Sequence, residues 1–121
     1  MDASCANGLT AKAGGGQAGA TPLALPTSCM GAATFSRFTT VAATGDSAML
    51  PTAAAGLCYT VKNAGANSMN MFPNTTPALG VVAGGDQINL GGANVAFALA
   101  SGKAAQFFCA ANGFWDVILS A

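Results

Sequence analysis

Apolar and polar positions alternate over short stretches from Phe35 onward. In Leu57-Cys58-Tyr59-Thr60-Val61-Lys62, the residues Leu57, Tyr59 and Val61 fall on one face of an extended strand. Trp115, Val117 and Leu119 do the same in the last apolar stretch. Val95, Phe97 and Leu99 share a face opposite Ala96, Ala98 and Ala100. Phe35-Ser36-Arg37-Phe38-Thr39-Thr40-Val41 is rich in aromatic and β-branched residues, Met69-Asn70-Met71-Phe72 stops at Pro73, and Gln106-Phe107-Phe108-Cys109 follows later. Turn signals separate these stretches: Thr44-Gly45-Asp46, residues 63–67, Ser101-Gly102-Lys103 as a hairpin turn, and Asn112-Gly113. Short strands spaced roughly ten residues apart predict an all-β sandwich or barrel. Two further short strands are expected near residues 48–50 and 80–83. The alanine-rich stretch 92–111 has helical propensity, but Ser101-Gly102 interrupts it and no i,i+4 charge pair supports it. A short helical turn is expected near Gly85-Asp86-Gln87-Ile88.

Residues 1–34 show no such periodicity. They contain Gly14-Gly15-Gly16, Gly19, Pro22 and Pro26, and Leu9, Leu23, Leu25 and Met30 are their main apolar residues. The chain thus divides into an extended Gly/Ala-rich arm over 1–34 and a β-sandwich domain over 35–121.

Composition narrows the chemistry. Of 121 residues, 28 are alanine and 16 glycine, so 44 carry almost no side chain. The core is expected to be thin. There is no histidine and no glutamate. A Ser-His-Asp triad, a Cys-His pair and a histidine zinc site are therefore impossible within the chain. Four cations balanced by four anions exclude the basic face that nucleic-acid binding needs. Asp46 and Asp86 follow glycines and read as turn residues; nothing sets two carboxylates across a cleft. Neither Gly14-Gly15-Gly16 nor Gly102-Lys103-Ala104 completes a phosphate loop. Tyr59 and Trp115 are the candidate platforms for a sugar, although their strand positions favour the core. No enzyme, cofactor or metal site is expected. The cysteines at 5, 29, 58 and 109 form no C-x-x-C pair, and the N-terminus carries neither a basic nor an apolar leader region. Four reduced thiols and synthesis in a cytoplasm are the expectation, and no apolar stretch is long enough for a membrane helix.

The stretch 58–119 resembles a module of tailed-bacteriophage virion proteins. The elements that carry the resemblance are Tyr59-Thr60-Val61-Lys62-Asn63 with Gly65 and Asn67, then Phe72-Pro73, then Gly85-Asp86-Gln87-Ile88-Asn89. Asn94 to Phe97, Gly102-Lys103 leading into Phe107 and Cys109, and a closing strand with Trp115 complete it. Capsid decoration (cement) proteins and head fibres are of this kind. The resemblance implies an antiparallel jelly roll, a homotrimer, and a place on the outer capsid surface, bound to the major capsid protein. It makes a decoration protein that stabilises capsomer contacts the leading expectation, with a sugar-binding head-fibre or tail module as the alternative. Leu9, Leu23, Leu25 and Met30 are the expected capsid-binding residues of the arm. Met69, Met71 and Phe72 are the expected subunit interface, on the reasoning that an apolar run ending in proline suits an edge strand.

Overall fold

A computed structural model describes residues 5–12, 21–22, 34–74, 85–92 and 94–120. The described residues form ten strands and no helix: β1 (Cys5–Thr10), β2 (Thr21–Pro22), β3 (Thr34–Thr40), β4 (Ser47–Met49), β5 (Cys58–Asn63), β6 (Met69–Phe72), β7 (Gln87–Ile88), β8 (Phe97–Leu99), β9 (Ala104–Ala111) and β10 (Phe114–Leu119). They make two sheets, ordered β1-β3-β5-β9-β10-β7 and β2-β4-β6-β8.

The pairing differs from the antiparallel expectation. β1, β3 and β5 run parallel in the larger sheet, and β2, β4 and β6 run parallel in the smaller one. Up to β6 the chain alternates between the sheets, so these six strands are three successive coils. Cys5 aligns with Phe35 and Phe35 with Thr60, steps of 30 and 25 residues. Thr21 aligns with Ala48 and Ala48 with Met71, steps of 27 and 23. The antiparallel hairpin of β9 and β10 then pairs with β5, and β8 pairs antiparallel with β6. A jelly roll, built from antiparallel neighbours, does not emerge from this connectivity.

The physical reason lies at the corners. Asp46 N–H donates to Ala43 O at 3.1 Å, with Gly45 at φ 94°, and this turn leads from β3 across to β4. Lys103 N–H donates to Ala100 O at 3.1 Å, with Gly102 at φ 81°. That second turn joins β8 to β9 in different sheets, so it is a corner and not a hairpin. Asn63 ties the corners together. Its Nδ2 donates to Asn67 O at 2.8 Å and to Leu99 O at 2.9 Å, and its Oδ1 accepts from Gly65 N–H at 3.0 Å. Asn67 Nδ2 donates in turn to Val41 O at 2.8 Å. Gly65 lies so close to Val41 that a Cβ there would stand 2.7 Å from the Val41 backbone nitrogen.

Strand pairing also reaches across the expected boundary at residue 34. β1 is an edge strand of the larger sheet and β2 of the smaller, so both belong to the sandwich. Leu9 packs against the core, and Ala11 is buried within it. Ala11 N–H donates to Thr40 O at 2.9 Å, and Lys12 exchanges two backbone hydrogen bonds with Ser47. This segment lacks period-2 alternation because Gly8 has φ 75° and the register shifts twice between Ala6 and Thr10. Such bulges also blunt an exposed sheet edge.

Between the sheets, Phe38, Tyr59, Val61, Ala105, Phe107, Cys109 and Trp115 face Ala48, Met69, Met71 and Leu99. Phe107 stands edge-on to Phe97, with centroids 5.9 Å apart, and to Trp115 at 6.5 Å. Tyr59 reaches Ser36 Oγ with its hydroxyl at 2.8 Å. Burial pushes the Tyr59 pKa up, and the bond to Ser36 partly offsets this.

The strand expected near 48–50 is β4, whereas the one expected near 80–83 lies outside the described residues. No helical turn forms at 85–88. Instead β7 runs into a turn in which Gly91 N–H donates to Ile88 O at 3.0 Å, with Asn89 at φ 52° and Leu90 at φ 57°. Two consecutive positive φ values at the central positions define a type I′ turn.

Candidate functional site

The surface best suited to recognition is the outward face of the six-stranded sheet. Burial alternates along β9 and β10, so Ala105, Phe107, Cys109 and Trp115 point inward while Gln106, Phe108, Asp116 and Ile118 point outward. Strand register places Thr60, Gln106 and Ile118 in one cross-strand row, and Cys58, Phe108 and Asp116 in the next. Ile118 is 60% exposed and Phe108 is exposed beside it, whereas Leu119, exposed at the strand end, falls on the face of Trp115 and Val117. Thr60, Ala104, Gln106, Ile118, Leu119 and Ser120 line a shallow depression at this end of the face. Ser120 closes it from below: its N–H donates to Ala104 O at 2.8 Å, and its Oγ accepts from Ala104 N–H at 2.9 Å.

Charge lies at the margins of this strip. Arg37 and Lys62 are register neighbours on β3 and β5, and both point outward between buried residues. Lys62 Nζ donates to Gly102 O at 2.6 Å. Asp116 lies on the opposite flank, exposed to solvent. Among the described residues no group of three histidine, cysteine or carboxylate side chains could hold a metal ion.

The sequence-expected site residues fall elsewhere. Met69 and Met71 are fully buried and Phe72 nearly so. β6 lies between β4 and β8, so it is not an edge strand. Met69 and Met71 hold the sandwich together from inside, and Phe72 is buried apart from that cluster, so none of the three is exposed to form a subunit interface. Leu9 serves its own domain's core rather than a capsid groove. Leu23, Leu25 and Met30 lie outside the described residues. Tyr59 and Trp115 are both interior, which leaves neither as a sugar platform.

Of the carboxylates, Asp46 and Asp86 are buried. Asp46 Oδ2 accepts from Ala43 N–H at 3.2 Å, as a turn residue does. Asp86 Oδ2 accepts from Ala53 N–H at 2.8 Å across 33 residues, a long-range role that its Gly-Asp sequence did not signal.

Cys109 is a buried free thiol, raised in pKa mainly by its burial. Cys58, on the outward face, is disulfide-bonded, so the expectation of four reduced thiols does not hold. Alkylation of denatured protein without reductant should modify at most two of the four cysteines, Cys109 among them, as read by intact mass. Four modified cysteines would contradict this bond.

No family model, curated protein or solved structure matches the chain.

Proposed function

We propose that this chain is a structural virion protein, a decoration protein that binds the outside of a tailed-bacteriophage head as a homotrimer and stabilises capsomer contacts. The observation that carries the reading is the outward sheet face, where the exposed Phe108 and Ile118 stand beside the uncharged Thr60 and Gln106. Apolar groups gathered on a rigid sheet favour attachment to another protein surface. The resemblance over 58–119 supplies the kind of surface. The inward position of Tyr59 and Trp115 weighs against the sugar-binding alternative.

Attachment then works differently from an arm inserted into grooves. Because β1 and β2 are sheet edges of the sandwich, the first part of the chain supports the domain rather than gluing it. Contact is made by the outward face, and the register of β5, β9 and β10 holds its side chains in fixed rows. The disulfide at Cys58 suits a protein that works outside the reducing cytoplasm, as the surface of a released virion does.

Co-sedimentation of the full-length protein with phage heads tests this reading, with a glycan array run in parallel. Saturable binding to heads and a blank array are expected. A glycan hit without head binding would overturn it in favour of host attachment.

A further inference from the structure

We propose that Asp86 is a proton-operated latch on the junction where the loop 51–57 meets the β9–β10 turn. The carboxyl group is completely buried. Oδ2 accepts from Ala53 N–H at 2.8 Å, while Oδ1 has no hydrogen-bond partner. Its backbone N–H donates to Asn74 O at 2.8 Å. Asp86 therefore links the loop, the residue that follows β6 by two, and the start of β7.

Further bonds fasten the same loop to the hairpin. Gly113 N–H donates to Ala53 O at 3.0 Å, and Gly56 N–H to Cys109 O at 2.8 Å. Ala55 N–H donates to Asn112 Oδ1 at 2.8 Å. Gln87 N–H donates to Gly113 O at 2.9 Å and so brings β7 onto the turn. All these elements converge around one carboxyl group.

The charges facing it explain its sensitivity. The loop 51–57 contains no titratable residue, and Asn74 and Asn112 are neutral. β9 contributes the Cys109 thiol, on which Asp86 acts as a like charge, with Asp116 of β10 adding weakly to the same effect. Among the described residues no cation forms an ion pair with Asp86. A buried carboxylate with one donor and no counter-charge is costly, whereas the neutral acid is not. Burial accordingly raises its pKa, against a smaller lowering by the Ala53 bond. A group whose pKa is higher in the folded state contributes stability that is present at low pH. That contribution is lost as pH rises through the folded-state value. With the proton in place the loop stays on the hairpin turn; as the proton leaves, the junction opens locally.

The test is hydrogen exchange and thermal melting of the full chain between pH 4 and pH 8, for wild type and Asp86→Asn. The Cys109 thiol stays protonated across this window, so it does not contribute. In the wild type, protection of the Ala53, Gln87 and Gly113 amides, corrected for intrinsic rates, should fall as pH rises, because the raised pKa of Asp86 makes its ionised form the less stable one in the folded state. The melting temperature should fall with it. Asp86→Asn keeps an acceptor for Ala53 and cannot ionise, so its protection should be level across the range. Wild-type protection that is level or rises with pH would overturn the proposal, as would a variant that reproduces the wild-type fall. If the variant fails to fold, the wild-type exchange profile at these three amides decides alone.

Discussion

Phe107→Ala should lower stability by about 3–5 kcal/mol, the range for removing a buried aromatic side chain. Phe107 is fully buried on the inner face of β9, between the rings of Phe97 and Trp115. The aromatic groups around it cannot collapse into the space because each is held by its own strand. Its neighbour Phe108 provides the control. It points outward, so Phe108→Ala should cost about 1 kcal/mol or less. Urea denaturation midpoints for the two variants measure the contrast directly. Equal losses would mean that the inward and outward assignments along β9 are wrong, and with them the register of the hairpin.

A protein that begins at Thr34 should lose cooperative folding. Removing residues 1–33 strips β1 from the larger sheet and β2 from the smaller, and leaves β3 and β4 as new edges. The bonds from Ala11 to Thr40 and between Lys12 and Ser47 disappear as well. Each lost backbone bond is worth about 0.5–1.5 kcal/mol net. Added to the exposed surface, the loss approaches the whole stability of a domain, about 5–15 kcal/mol. Circular dichroism melting and gel filtration should show a broad transition and aggregation. A truncated protein that melts like the full chain would restore the reading of residues 1–34 as a separable arm.

The sequence made the strands legible but not their order. β5 and β10 follow a period of two, and their inward residues Tyr59, Val61 and Trp115 are the ones the pattern selects, whereas the adjacent Phe107 and Phe108 are told apart only by the fold. That pattern is the same for parallel and antiparallel neighbours, so it does not reveal coils. The direction of the chain after each strand is decided at the corners, where Gly45 and Gly102 occupy positions that a hairpin turn would equally favour. β1 was hidden for another reason: its bulges destroy the alternation that marks a strand. β6 was recognised as apolar, but Pro73 suggested an edge. Pro73 actually follows the strand, where no ladder bond is required of it.

The candidate face was legible only in part. Gln106, Phe108 and Ile118 gain meaning from the cross-strand rows, and row membership depends on register, which no single strand encodes. Asp86 was hidden in the same way. A Gly-Asp pair reads as a turn, and only the fold brings Ala53 to its carboxyl group from 33 residues away.

We propose attachment of this protein to a phage head through the outward face of the six-stranded sheet. Its most direct test is co-sedimentation with heads of the wild type and of Ile118→Asp, at low and high salt. Circular dichroism first establishes that the variant retains its fold, as an exposed position allows. The wild type should bind with little dependence on salt, because Thr60, Gln106 and Ile118 carry no charge. The variant should bind about tenfold more weakly or worse, since contact would bury an unpaired carboxylate. A folded Ile118→Asp protein that binds as tightly as the wild type would contradict the account.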